Sequence, residues 1–152
     1  MSPAPSFYHQ EVVLRFYRHL YDWVARHKLG KVIAAPIDMV LSEHRVVQPD
    51  VAFIATARLG IIQRAIMGPA DLVVEVVSLG DRNRDRIEKR DLYEQYGIQE
   101  YWIIDPESGS ADVLVLERGA YRLAMRCHSE QVAESQLLPG FQIPLRLLLH
   151  GE

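Results

Sequence analysis

Residues 71–78 read Asp-Leu-Val-Val-Glu-Val-Val-Ser, with Gly68-Pro69 breaking the chain just ahead of them. Apart from Glu75 the run is apolar at consecutive rather than alternate positions, the pattern of a strand covered on both faces. Such a strand needs a layer of structure above and below it, which directs the chain toward a helix-flanked sheet. The same run puts the Glu75 carboxylate where water cannot reach it. An unpaired buried charge is costly, so Glu75 must take up a proton, pair or bind a metal. The plainer alternative is that it points to a sheet edge or pairs with an arginine.

The flanking segments agree with a layered fold. From Phe7 to about Lys28, Val13, Phe16, Tyr17, Leu20, Trp23 and Val24 recur at three- and four-residue steps, predicting a helix capped by Ser6 and closed by Gly30. His9 falls on the same side. The period then changes: Lys31–Ala35, Asp38–Leu41 and Val46–Ile54 read as short strands, while residues 58–67 are open between loop and short helix. Asp81–Tyr96 reads as a second helix stopped by Gly97, and Tyr101–Asp105 as another buried strand in which Tyr101 and Trp102 are core. Residues 111–117 and 121–126 form a hairpin across Arg118-Gly119, and Leu137–Leu149 is expected to pack as an irregular closing segment. This order predicts an α/β (α+β) mixed sheet in a single domain over residues 1–152.

Composition narrows the function. With 152 residues, 17 Lys+Arg against 20 Asp+Glu and a formal net charge of −3, the chain is no polybasic nucleic-acid binder, so any such contact must be local. One cysteine, Cys127, allows neither an intrachain disulfide nor a Cys-rich zinc site. The start lacks the basic and apolar regions of a signal peptide, and the apolar runs are too short to span a bilayer, so a cytoplasmic protein is expected. There is no glycine-rich phosphate loop, no His-Glu-x-x-His and no nucleophile elbow.

Two further charged residues sit against the local pattern. At about 100° per residue, Asp85, Lys89, Leu92, Tyr93 and Tyr96 share one side of the second helix. Asp85 and Lys89 can form an i,i+4 pair there, or the stripe can carry Lys89 toward Glu75. Asp50 follows Pro49 and precedes the apolar Val51-Ala52-Phe53-Ile54. Pro-Asp is often only a turn. Together, however, two carboxylates from neighbouring strands and a lysine from an adjoining helix can hold a divalent cation beside an attacking water, and hard oxygen donors suit Mg²⁺ or Mn²⁺.

These residues resemble the Uma-two family, restriction-endonuclease-like proteins of the PD-(D/E)XK nuclease superfamily. The matching stretches are Val47–Val51, Gly68–Ser78, the positions Asp85, Lys89 and Tyr93, and Gly97–Pro106; His9 looks like the family's helix histidine. The resemblance implies a restriction-endonuclease-like core and a metal-dependent phosphodiesterase site. In it Asp50, Glu75 and Lys89 would be catalytic, and Asp50 and Glu75 would hold Mg²⁺ (or Mn²⁺). Val77 stands where the superfamily motif places its lysine, and Lys89 on the next helix takes that role, in accord with the helical face that reached it independently.

Around this set, His9, Asp71, Ser78 and Asp85 are supporting candidates. Asp71 shares Glu75's strand face but lies about 13 Å away. Ser78 and Asp85 can equally cap the helix start or pair with Lys89, and His9 can be a satisfied inward histidine. Arg82, Arg84 and Arg86 are candidate phosphate contacts, since residues 82–90 hold five cations against two carboxylates; a solvated helix face explains them equally, because the whole helix is charge-balanced. The expected activity is an Mg²⁺-dependent nuclease acting on nucleic acid, DNA in the first instance, with a homodimer as a candidate assembly. The alternative is a non-catalytic binding or assembly module that retains the nuclease fold. A chain starting almost at its first helix, without the family's preceding Glu-Leu-Ile-Asp-Gly-like hairpin, favours that alternative; Glu11 is a poor substitute, about 160° around the helix from His9.

Overall fold

The computed structural model describes residues 4–78 and 83–151. Helix α1 spans Phe7–His27, with Ser6 extended at its N-cap and accepting from the His9 amide. Val12, Val13, Phe16, Leu20 and Val24 form its buried stripe, along with His9. The helix closes before Gly30, because Lys28 takes the left-handed cap (φ 54°, ψ 47°). Gly30 instead opens strand β1 (Gly30–Ala34), where φ is 149° and a Cβ would stand 2.0 Å from the Ile54 carbonyl oxygen. Its place is set by close backbone approach to the neighbouring strand, not by helix termination.

The remaining elements are β2 (Met39–Ser42), β3 (Arg45–Val47), β4 (Val51–Ala55), a 3₁₀ helix (Thr56–Ile61), β5 (Leu72–Val76), α2 (Asn83–Gln95), β6 (Glu100–Asp105), β7 (Ser110–Glu117), β8 (Ala120–His128), β9 (Val132–Glu134), β10 (Gln142–Pro144) and α3 (Leu145–His150). The expected strand over 46–54 is two strands broken at Gln48-Pro49-Asp50; proline has no amide hydrogen to donate to a ladder. Asp81, the expected start of the second helix, lies outside the described residues. The closing segment is more regular than expected: β10 pairs antiparallel with β9, and α3 buries Leu145, Leu148 and Leu149. The hairpin turn falls at Arg118-Gly119, with positive φ at both residues (54° and 81°), as a two-residue turn with the right twist demands.

Six strands form the central sheet in the order β1-β4-β5-β6-β7-β8. Only β5 and β6 run parallel, from Leu72↔Glu100 to Val76↔Ile104, and α2 lies in the crossover between them. Both faces are covered, which confirms the helix-flanked mixed sheet. One core gathers Phe16 and Leu20 of α1 with Leu72, Val74, Val76, Trp102 and the α3 leucines; Phe16 and Trp102 meet edge to face at 5.1 Å. The other gathers Ala52, Ile54, Val73, Tyr93 and Tyr101, with the two tyrosine rings 5.0 Å apart. Along β5 the side chains therefore alternate between cores, and Glu75 shares the α2 face with Val73.

Candidate active site

Strand register brings the two carboxylates together. In the antiparallel β4–β5 ladder Val51 lies across from Val74 and Ala52 across from Val73. One step further along the same ladder sets Asp50 opposite Glu75, on the face that α2 covers. Lys89 comes from α2: its Nζ donates to Glu75 Oε2 at 2.8 Å, and the Tyr93 hydroxyl, one turn on, donates to Oε1 at 3.0 Å. The helical stripe thus serves Glu75 twice. Asp50, Glu75 and Lys89 line one cleft of about 210 Å³, together with His9, Gln48, Ser78, Asp85 and Arg86.

Glu75 is 7% exposed. Burial, with the negative charge of Asp50 adding to it and the Lys89 ammonium opposing it, pushes its carboxyl up to about 7. The same burial and the neighbouring Glu75 charge hold the Tyr93 phenol well above the usual range, so it remains a hydrogen-bond donor. Asp50 Oδ2 accepts the Val76 amide at 2.7 Å, pinning the carboxylate to the end of β5. His9 Nε2 lies 2.8 Å from the Val76 carbonyl oxygen, a contact in which the ring must donate, and 3.7 Å from Asp50 Oδ2. His9 therefore ties α1 to the strand end that positions Asp50.

Other candidates fall elsewhere. Asp71 is not among the cleft residues: its Oδ2 accepts the Ala55 amide at 2.7 Å and its Oδ1 meets Arg58 Nη1 at 3.0 Å, so it anchors the far ends of β4 and β5. Arg84 is exposed and paired with Glu88 at 3.0 Å. Arg82 lies outside the described residues. Arg86 does reach the cleft; its Nη1 lies 3.9 Å from Asp105 Oδ2, and its buried Nε has no hydrogen-bond partner among the described residues. Helical phase separates these arginines: Arg86 is three residues before Lys89 and on its side, whereas Arg84, five before, is about 140° away. Gln48 was missed by the sequence reading, although two residues before Asp50 on extended chain it projects to the same side.

The buried carboxylate of Glu100 was missed too. It is fully enclosed on the opposite face and accepts from Trp102 Nε1, the Ser135 hydroxyl and the amides of Gln136 and Leu137 at 2.6–3.0 Å. Its role is to staple the β9–β10 connection to the sheet. Among the described residues no group of three or more His, Cys, Asp or Glu side chains gathers closely enough to hold a metal. No helix among them is long and apolar enough to cross a membrane.

Residues 1–146 match the family described as "Uma2: Putative restriction endonuclease". No curated protein matches the chain. Among solved structures, a protein of Anabaena variabilis ATCC 29413 described as a "putative nuclease belonging to DUF820" superposes with a TM-score of 0.81 at 12% identity, over 98% of this chain and 84% of that one. A DrdV–DNA complex aligns with a TM-score of 0.44 at 19% identity, over 74% of this chain and 9% of that one. The fold is thus nuclease-like, and the chain belongs to the Uma2 family.

Proposed function

We propose that the chain is a metal-dependent nuclease that hydrolyses phosphodiester bonds of nucleic acid, with DNA as the substrate to test first. The observation that carries this reading is the meeting of Asp50, Glu75 and Lys89 in one cleft, with Lys89 Nζ 2.8 Å from Glu75. The donor set suits Mg²⁺ or Mn²⁺: two carboxylates face each other on adjacent strands, and the charge of Asp50 is one cause of the raised Glu75 carboxyl, a repulsion that a divalent cation would offset. Asp50 and Glu75 would hold the ion, which when bound supplies Lewis acidity toward the phosphate and its attacking water.

The chain's own groups do the rest. The Val76 amide and the Tyr93 hydroxyl fix the two carboxylates, so little reorganisation is needed when substrate arrives. The Lys89 ammonium stands beside Glu75 to orient the water and offset charge developing on the phosphate. Arg86, whose buried Nε–H has no hydrogen-bond partner among the described residues, supplies a phosphate contact in the same cleft. The water oxygen bonds to phosphorus and releases a proton to solvent, the ester P–O bond breaks, and the leaving oxygen takes a proton from solvent.

The test is cleavage of supercoiled, linear and single-stranded DNA and of RNA with Mg²⁺ or Mn²⁺, comparing wild type with Glu75→Ala and Lys89→Ala. Cleavage that EDTA stops and that both folded variants lack supports the reading. Equal cleavage by all three proteins removes it, and no cleavage of any substrate moves the non-catalytic binding module ahead.

A further inference from the structure

Helix α1 has a second face that neither core nor cleft uses. Phe7, Leu14 and Tyr21 are 83%, 53% and 48% exposed, unusual for large apolar side chains. They recur every seven residues, so they drift by only about 20° per step and form one line along the helix. That line is roughly opposite the buried stripe of Val12, Phe16 and Leu20. Tyr17, half-buried, broadens it, its ring centroid 5.6 Å from that of Tyr21.

The charges beside the line are arranged about its middle. Glu11 and Arg18 lie on one flank, equally far in sequence from a point beside Leu14. Glu11 also meets Arg15, whose other amino group donates to the Leu148 carbonyl, whereas Arg18 has no ion-pair partner among the described residues. We infer that this face docks against a second copy of the chain, the two α1 helices running antiparallel with Leu14 near the two-fold axis.

Antiparallel two-fold packing sets a flank against the same flank of the other copy. Glu11 of each copy then faces Arg18 of the other, giving two identical ion pairs, while Phe7 stacks over Tyr21 at each end and Leu14 meets its own counterpart. A parallel pair would face that flank with Gln10 and Tyr17 and gain no ion pair. The apolar line supplies the affinity and the paired charges supply direction and register. A second copy fits better than a nucleic acid, because the face carries carboxylates at Glu11 and Asp22 along an apolar ridge.

Sedimentation of the full chain over about 1–500 μM tests this, with circular dichroism to verify folding of each variant. Wild type should form a concentration-dependent dimer and Leu14→Asp a monomer. Arg18→Glu should raise the dimer Kd by roughly tenfold or more, because it replaces two attractions with two repulsions. Adding Glu11→Arg to Arg18→Glu should restore most of the loss, which a generally damaged surface would not do. A wild type that stays monomeric, a Leu14→Asp variant that still dimerises, or a double variant no tighter than Arg18→Glu overturns the inference.

Discussion

Glu75 and Glu100 are both buried carboxylates, and their surroundings make opposite use of them. Glu75 is held up at about 7, mainly by burial, against an ordinary value of 4.5. Between those values the native chain keeps a proton that the unfolded chain has released. The stability linked to this group is therefore full below about pH 4.5 and is lost as pH rises through 7, a swing on the order of 3 kcal/mol. In metal-free buffer the urea midpoint should fall between about pH 5 and pH 8, and Glu75→Gln should remove that part of the slope. An unchanged slope in the variant would mean that another group titrates.

Glu100 has two oxygens and four donors, two on each oxygen. Glutamine offers one oxygen, so its NH₂ confronts the Gln136 and Leu137 amides in one orientation and the Trp102 N–H in the other, where only the Ser135 hydroxyl can turn to accept. Glu100→Gln should destabilise the fold by about 2–4 kcal/mol in denaturant unfolding, and a loss below about 0.5 kcal/mol would show that the loop re-forms around the amide. The two residues also differ in legibility. Glu75 stands out because apolar neighbours at consecutive positions leave it no wet face. Glu100 opens its strand beside polar Gln99, and nothing local announces that residues 135–137 will fold over it.

At the scale of elements, periodicity carried most of the reading. The α1 stripe and the Lys89–Tyr93 face of α2 follow from 3.6 residues per turn, and both faces meet the partners their chemistry needs. Errors came where an element's end depends on another element. Gly30 reads as a helix stop, yet its reason is the Ile54 carbonyl across the β1–β4 ladder. Replacing a generic strand or helix glycine by alanine gains roughly 0.5–1 kcal/mol, whereas Gly30→Ala should cost about 2 kcal/mol or above, because its Cβ meets the Ile54 backbone, which cannot rotate away. A midpoint shift no larger than that of Gly60→Ala, where a Cβ meets open space, would contradict this. The tail was misread for a related reason: three-residue strands such as β10 exist only because β9 is there to pair with them.

At the scale of the whole molecule, the central strands β4, β5 and β6 have paired neighbours on both sides and a core on each face, whereas β1 and β8 are sheet edges. Amides of β5 and β6 should exchange with solvent only through global unfolding and should set the slowest class in native-state hydrogen exchange, with the outer amides of β8 orders of magnitude faster. Equal protection across all six strands would indicate an edge covered in solution. Strand β5, paired on both sides, is also the one that carries Glu75, so the same exchange measurement reports on the strand that holds the carboxylate in place.

Sequence by itself determined the layers and the chemistry on offer. Unbroken apolar runs demand two covered faces, a 3.6-residue stripe demands a helix packed on one side, and a carboxylate inside such a run demands a partner; each is a local consequence of burial. Tertiary structure alone decided which carboxylates became neighbours. Asp50 faces Glu75 because of the β4–β5 register, while Asp71, on the same strand face as Glu75, is spent on Ala55 and Arg58. It likewise decided that Glu100 would be enclosed by a loop 35 residues away. Register and long-range closure are set by the sum of many weak contacts over the whole sheet, so no short window of residues contains them.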